Sequence, residues 1–443
     1  MTRTPIRRTA LWLMAVALVA GCAGSAALTA PADTDLPPPV RSVMRNGMRL
    51  IVQEHRAADI VAVYLFVGVG TRHETADQLG YAHFQEHMLF KGTDKFGPGY
   101  VDRVVEGVGG KSNAVTSFDY TTFYLILPAE ATATGIQLLS DMAFRSTFAP
   151  EEIAREREVI FEEARIEQDN PRSAIVRQLY ALVFAGHPYG RPVLGTRETM
   201  MAATQERLRA FNHRYYTPEN MTLVVAGPVD VGAVRAMAER SFGRPNNPGF
   251  KPTPPPVPRP IGGVVKRQVD RPEQQAHLAM GWQAPKSDDP AGDAVDLLAT
   301  ILASRELSVP ARMVASITMS YSALVGGGIV SLRADLEAKD LARVEQVVLE
   351  EITRIQESGP TEEERQLAVT KFESQHAFDT ETSEGLAYAY GLAETTWNLE
   401  AELHYVERLR KITREQIRDA ARRYLDRGDY ARLAFVPKAG PGR

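Results

Sequence analysis

The chain has 443 residues, of which 44% are hydrophobic and 24% charged, the composition of an ordinary globular protein. Its length allows two or more domains, each with a core of its own. Because the net charge is −4 and no block of basic residues occurs, nucleic acid and anionic membrane surfaces are poor candidates for partners.

The N-terminus has the pattern of a bacterial secretion signal. Three arginines precede an apolar run, LWLMAVALVAG, which is too short for a membrane span. The run ends in VAGC, which resembles a bacterial lipobox, whose cysteine carries lipid and becomes the mature N-terminus. We therefore predict a lipoprotein signal peptide over residues 1–21 and lipidation of Cys22, the only cysteine. Ala23 follows it, which in double-membrane bacteria indicates the periplasmic side of the outer membrane.

Two proline-rich stretches divide the rest of the chain. Residues 22–40 are small, polar and proline-rich, which predicts a flexible tether. Residues 244–261 have the composition of an interdomain linker. The expected domains are therefore an N-terminal unit over 41–243 and a C-terminal unit over 262–440.

The two units repeat the same order of features. Each begins with two apolar strands around a polar turn and continues with an apolar-periodic helix. Each later has a strand running into a helix, and closes with a long helix and a final strand. The paired segments are 49–74 and 262–289, 78–91 and 290–304, 122–144 and 328–352, and 205–227 and 414–437. This predicts an α+β fold of two duplicated units, each a mostly antiparallel sheet with helices packed on one face.

Only the first unit contains the motif H-x-x-E-H, in the stretch AHFQEHMLFKG. On a helix, His83 and His87 lie one turn apart on one face and can approach a common atom, with Glu86 on the same side. Neutral imidazoles are good zinc ligands, and a catalytic zinc site needs three protein ligands and one open position. The alternative is a helix with two surface histidines and a solvated glutamate. A third ligand would decide between them.

The third ligand cannot be chosen from spacing alone. Residues 151–171 read as a helix ended by Pro171, and they contain many glutamates. However, H-x-x-E-H followed 76 residues later by a glutamate in EREVIFEE resembles the inverzincins, the pitrilysin or M16 family of zinc peptidases. The stretches GGKSNAVTSFDYTTFYLILP, HPYGRPVLGT and YYTPENMTLVVAG are similar to that family as well. The resemblance is specific in the N-terminal half and thin in the C-terminal half.

This resemblance implies a role for each residue of the site. His83, His87 and Glu163 would hold one zinc ion per chain and leave a fourth position for water. Glu86 would be the general base. Glu156, two turns before Glu163, would orient a ligand from the outer shell, the alternative being a solvated helix glutamate.

The substrate is expected to bind along a strand. SNAVTSFDYTTFYLIL alternates β-branched and aromatic residues with small polar ones, and an extended peptide could add to such a strand. In the resembling family the matching segment lies along the substrate, which implies contacts from Asn113 and Ala114. The alternative is an interior strand of the sheet.

The remaining histidines show no ligand spacing, and we predict that they are structural. They are His55, His73, His187, His213, His277, His376 and His404.

The C-terminal half departs from the resembling family, whose members usually present an arginine or lysine seven residues before a substrate-gripping tyrosine. Here Tyr321 is the tyrosine, but Val314 stands seven residues before it, and Arg305 and Arg312 have the wrong spacing. Two units form only one wall of the family's closed chamber. We therefore expect a heterodimer with a related chain that lacks H-x-x-E-H, or else a homodimer.

Together these observations predict a lipid-anchored zinc endopeptidase of the bacterial envelope that cleaves extended or unfolded peptides. The alternative is a catalytically silent, peptide-binding scaffold lipoprotein, whose usual mark is a broken metal motif.

Overall fold

The computed structural model describes residues 36–244, 250–305 and 313–438. The predicted signal peptide, most of the predicted tether and Cys22 lie outside the described residues. Within the described ranges, no helix is long and apolar enough to cross a bilayer.

The first sheet has six strands. They are β1 (Val40–Val43), β2 (Arg49–Glu54), β3 (Ile60–Val67), β4 (Lys111–Thr116), β5 (Thr121–Pro128) and β6 (Met221–Gly227). Their spatial order is β1-β2-β6-β3-β5-β4, and only β2 and β6 are parallel. β1 begins at Val40, the last residue of the segment predicted to be a tether, and β4 lies at the opposite edge of the sheet.

The second sheet repeats this plan. Its strands are β7 (Val264–Arg271), β8 (Ala276–Ala284), β9 (Val314–Leu324), β10 (Gly327–Leu336) and β11 (Tyr430–Pro437). Their order is β7-β11-β8-β10-β9, with β7 and β11 as the only parallel pair. This matches β2-β6-β3-β5-β4 strand for strand and confirms the predicted duplication.

Helices occupy the remaining regular segments. They are α1 (Tyr81–Met88), α2 (Tyr100–Gly107), α3 (Thr132–Arg145), α4 (Pro150–Asp169), α5 (Pro171–Val183), α6 (Arg197–Met201), α7 (Gln205–Tyr215), α8 (Val231–Phe242), α9 (Ala291–Ser304), α10 (Leu341–Ser358), α11 (Glu362–Asp379), α12 (Ser383–Thr396), α13 (Leu399–Leu403), α14 (Tyr405–Lys411) and α15 (Arg414–Tyr424). The helices predicted at 78–91 and 290–304 are α1 and α9. The α+β fold with two duplicated units is thus confirmed.

β3 explains why the first sheet is covered on both faces. Its sequence IVAVYLFV is apolar almost throughout, and every residue after Ile60 is buried, as expected for a strand with protein on both sides. Side chains alternate between faces. Val61, Val63 and Leu65 point into the core formed with α1, α3 and α8 of the same half. Tyr64 and Phe66 therefore point to the other face.

That other face is covered by α12, which belongs to the second half of the chain. The ring of Tyr388 lies 6.1 Å from the ring of Phe66, and its hydroxyl is 3.0 Å from the hydroxyl of Tyr120. The approach is so close that a Cβ on Gly391 would lie 2.1 Å from the Phe66 ring. Only glycine fits at this position without displacing the ring.

The second sheet receives a helix from the first half in return. Along β8, even-numbered residues such as Leu278 enter the core of the second half, whereas Ala279 packs against α5. A Cβ on Gly281, on that same face, would lie 2.8 Å from the side chain of Val183. Helices of each half thus lie on one face of their own sheet, as predicted. The exchange of α5 and α12 was not indicated by the sequence.

Candidate metal centre

A glycine and a buried carboxylate fix the start of α1. The preceding residue, Gly80, has φ of +87°, a left-handed conformation that glycine adopts without strain. Both oxygens of the buried Glu74 carboxylate accept backbone N–H groups at this end, from Gly80 and Ala82, each at 2.8 Å. These bonds satisfy N–H groups that a helix leaves without internal partners, so they fix where α1 starts.

The helix has two faces with different chemistry. Tyr81, Phe84 and Met88 are buried at helical spacing in the core of the first half. The other face of the helix carries His83, Glu86 and His87, as the H-x-x-E-H spacing predicted. Core packing therefore directs the three polar side chains to the opposite side of the helix.

α4 supplies the facing carboxylates. Ile153 and Ile160 are buried at seven-residue spacing, and Glu156 lies between them on the same face. Glu163 follows one further turn along this face, with 40% of its side chain exposed. The packing of α4 through its isoleucines thus brings both glutamates towards α1.

His83, His87 and Glu163 converge, and their candidate ligand atoms all lie within 4.8 Å of one another. The Oε2 atom of Glu163 is 3.7 Å from Nε2 of His83 and 3.4 Å from Nε2 of His87. Ligand atoms at about 2.0–2.1 Å from a tetrahedral zinc are roughly 3.4 Å apart, so this donor set fits zinc. Two nitrogens and one oxygen also leave a fourth coordination position open.

Glu156 lies behind His87, as predicted for an orienting residue. Its Oε2 is 3.0 Å from Nδ1 of His87, and its Oε1 is 2.8 Å from Nζ of Lys91. A carboxylate on the far nitrogen fixes the imidazole tautomer and directs Nε2 towards a metal. Glu156 is buried, which argues against the alternative of a solvated helix glutamate.

The two histidines differ in basicity in the metal-free protein. Burial, with a contribution from His87, lowers the pKa of His83 to about 3. Burial also opposes the charge on His87, but hydrogen bonds to Glu156 and Glu163 outweigh it and raise its pKa to about 9. His83 is therefore neutral at pH 7, whereas His87 must release a proton before its Nε2 can bind a metal.

Glu86 occupies the space between the histidines and the edge strand. Burial raises the pKa of its carboxyl group, and a hydrogen bond with the side chain of Thr116 opposes that rise. The backbone of Thr116 opposes the rise as well. Thr116 is the last residue of β4, so the carboxylate that is not needed as a ligand rests against the edge of the sheet.

β4 carries the two residues expected to contact substrate. It pairs with β5 alone in the described part of the chain, so the alternative of an interior strand does not hold. Asn113 is exposed and its Oδ1 accepts the backbone N–H of Ala114 at 2.9 Å. The N–H of Ala114 therefore points away from β5. Substrate contact by Asn113 and Ala114 stays a prediction.

Tyr321 lies in β9, which holds the position in the second sheet that β4 holds in the first. Its ring packs against the second core, and its hydroxyl donates to the carbonyl of Pro285 at 2.7 Å. Arg305 pairs with Glu364 at 2.6 Å, and Arg312 lies outside the described residues. Substrate binding by Tyr321 also stays a prediction.

The other histidines lie outside the centre. Among the described residues, His83, His87 and Glu163 form the only group with metal-binding geometry. His187, for example, accepts the N–H of Tyr189 and lies 2.9 Å from the carbonyl oxygen of Pro256. The prediction that the remaining histidines are not ligands is consistent with this arrangement.

Two residues of the centre were missed by the sequence reasoning. Lys91 follows His87 by one helical turn, and that spacing could have indicated a shared partner. Thr116 follows Glu86 by thirty residues in another element, and no sequence signal marked the contact.

The chain belongs to peptidase family M16. Residues 49–197 match the family model described as insulinase (peptidase family M16), and residues 202–372 match the one described as the peptidase M16 inactive domain. The matches cover most of the chain, and the first includes both α1 and α4. The predicted family is therefore confirmed.

Relatives with known sequences or structures agree with this assignment. An uncharacterized zinc protease of Mycobacterium leprae is 29% identical over 90% of this chain and 93% of its own length. One from Bacillus subtilis is 26% identical over 90% of this chain and 98% of its own length. The crystal structure of a protease from Helicobacter pylori superposes with a TM-score of 0.86, covering 91% of this chain and all of that one at 20% identity.

The geometry predicts how zinc content responds to substitution. His83→Ala and Glu163→Ala should each abolish stoichiometric zinc binding, because two ligands do not hold the ion. Glu156→Gln should lower zinc affinity about 10–100-fold, because it weakens the partner of His87. Zinc would be measured by metal analysis and by competition with a chelator.

Glu162→Ala is the matched control, since Glu162 adjoins Glu163 on α4 but pairs with Arg165 on the exposed side. It should retain zinc. Full zinc content in both His83→Ala and Glu163→Ala would contradict the ligand assignment.

Proposed function

We propose that this chain is a zinc-dependent endopeptidase that cleaves extended or unfolded peptides. One observation carries the proposal: the Glu86 carboxylate lies between three converged candidate metal ligands and a sheet edge that no other strand of the described residues pairs with. Membership of peptidase family M16 and the relatives described as zinc proteases support it. The second family match, to an inactive domain, is consistent with a metal centre in the first half alone.

His83, His87 and Glu163 would hold the zinc, with Glu156 orienting His87. Zinc bound there supplies Lewis-acid chemistry that polarises the carbonyl of the scissile peptide bond. Lys91 balances the charge of Glu156 and keeps its carboxylate turned towards His87. The chain's own contribution is thus a fixed set of donors that needs little rearrangement to bind the ion.

Glu86 would act as the general base and then as the general acid. It accepts a proton from the attacking water and delivers it to the nitrogen of the departing amine, so one carboxylate serves both halves of hydrolysis. Burial raises the pKa of this carboxyl group, which makes it a better proton acceptor than a solvated glutamate. The Glu86 carboxylate adjoins Thr116 at the end of β4.

A peptide would bind by adding to β4 as a further strand. Backbone hydrogen bonds give affinity that depends little on sequence, and they require the substrate to be extended. A folded protein cannot present such a segment, so we expect a preference for unfolded or short peptides. The alternative of a silent peptide-binding scaffold is weakened because all three ligands and the base are present together.

Glu86→Gln tests the assignment of the base. The amide keeps the size of the side chain but cannot take up a proton, so zinc and fold should be retained. Cleavage of a fluorogenic peptide should fall about 10²–10⁴-fold. Appreciable turnover by this variant would show that another residue is the base. Loss of zinc together with activity would show that Glu86 contributes to metal binding instead.

We also propose that the protein is anchored by lipid on Cys22 at the periplasmic side of the bacterial outer membrane. Support comes from the VAGC motif at the end of the apolar run. Cys22→Ser should leave the protein unanchored, as measured by fractionation and by the mass of the N-terminal peptide. Ser25→Ala should leave the anchor intact. Recovery of the unsubstituted protein in the soluble periplasmic fraction would contradict the proposal.

The third proposal is that the working enzyme is a dimer. Val314 stands where the resembling family has a basic residue, so we expect a related chain lacking H-x-x-E-H to supply the arginine–tyrosine pair. A homodimer is the second possibility. Specific activity should rise with concentration, or on adding the partner, in step with the size measured by light scattering. A strictly monomeric species with full, concentration-independent activity would rule out both assemblies.

A further inference from the structure

The turn that follows β4 contains a buried acid that neither the metal centre nor the proposed chemistry uses. Asp119 lies between β4 and β5 with only 5% of its surface exposed. A buried carboxylate loses favourable hydration and persists only where donors replace the lost water. The hydrogen-bond partners of Asp119 therefore show which segments of the chain hold this turn in place.

Both oxygens of Asp119 are engaged, and the partners come from both halves of the chain. Oδ1 lies 2.7 Å from Nε of Arg72 and accepts the hydroxyl of Tyr189 at 2.8 Å. Oδ2 accepts the backbone N–H of Val325 at 3.1 Å. Val325 lies in the turn between β9 and β10, so one carboxylate joins the hairpin turns of the two sheets.

Tyr189 closes the network. Its hydroxyl donates to Asp119 and accepts the backbone N–H of Gly326 at 2.7 Å. The side chain is fully buried, and its ring packs edge-on against Phe118 and Phe184 at centroid distances of 5.3 and 5.4 Å. The ring is thereby held in one orientation, and the hydroxyl can reach only these two partners.

The turn and the proposed base are close along the chain. Thr116, which adjoins Glu86 and whose hydroxyl donates to the carbonyl of Ala82 in α1 at 3.5 Å, precedes Asp119 by three residues. Among the described residues β4 has a strand on one side only, so this turn is one of the restraints on its last residues. Movement of the turn would shift both the edge that pairs with a peptide and the threonine that adjoins the Glu86 carboxylate.

We propose that Tyr189 and Asp119 are positioning residues that lock the β4–β5 hairpin to the β9–β10 turn, and so hold β4 in register for peptide binding. This rests on the proposed function, in which β4 is the surface that pairs with substrate. It gives the metal-free half a role within the same chain, as the support against which the substrate strand is fixed.

Tyr189→Phe tests the proposal in the full-length protein. The ring remains, whereas Asp119 and Gly326 lose their shared partner. Amide hydrogen exchange in β4 should become about tenfold faster. The KM for an extended fluorogenic peptide should rise about fivefold, while kcat changes less than about twofold. A fivefold change in KM corresponds to the net free energy that one hydrogen bond contributes. Zinc content should be unchanged.

Tyr405→Phe is the matched control, because it removes a tyrosine–aspartate hydrogen bond of 2.7 Å, to Asp296, that lies entirely within the second half. It should leave β4 exchange and KM unaltered. Asp119→Asn provides a second variant, since the NH2 group of its amide would face a donor in either orientation, the N–H of Val325 or the guanidinium of Arg72. The same faster exchange and higher KM are expected.

The outcomes separate the two proposals. Unchanged β4 exchange or unchanged KM in Tyr189→Phe, with zinc retained, overturns the positioning role. Weakened activity that is explained by lost zinc overturns it as well. If the unsubstituted protein with stoichiometric zinc cleaves no peptide under any assembly state, the proposed function fails, and β4 exchange still decides whether the turn is anchored as described.

Discussion

The fold depends on an exchange of helices, in which each half covers one face of the other half's sheet with one helix. Burying Tyr64 and Phe66 beneath α12 stabilises the protein by about 1.5–3 kcal/mol for each side chain. The ion pair between Arg41 and Glu394 joins the same helix to β1, but Arg41 is half exposed and such pairs contribute about 0–1 kcal/mol. Apolar packing therefore governs the association, and without α12 the metal-bearing half would leave one face of its own sheet uncovered.

The sequence predicted the features that depend on local spacing. Four-residue spacing placed His83 and His87 on one face of a helix, and apolar runs around polar turns located strands in both halves. Glu163 required resemblance to a family, because several glutamates of α4 had suitable spacing and only packing through Ile153 and Ile160 selects among them. Contacts such as Thr116 with Glu86 join separate elements, and their partners are set by tertiary structure. The unbroken apolar run of β3 did contain a sign of burial on both faces.

The second half shows how a duplicated unit can keep a fold and lose a site. α9 follows β8 as α1 follows β3, and its third and sixth residues are Asp293 and Asp296, where α1 has His83 and Glu86. Its seventh residue is Leu297, which is buried in the core. The two aspartates bond to an arginine and a tyrosine of the same half. Polar positions that serve chemistry in one unit thus serve internal cohesion in the other.

The open edge at β4 also bears on how the protein avoids self-association. An uncovered strand offers a row of N–H and C=O groups to any other strand, including β4 of a second copy, and joined edges would build a continuous sheet. The carboxamide of Asn113 already occupies the N–H of Ala114, and Lys111 places a charge at the start of the strand. Both features lower the gain from edge-to-edge pairing, so the surface remains available without becoming a template for aggregation.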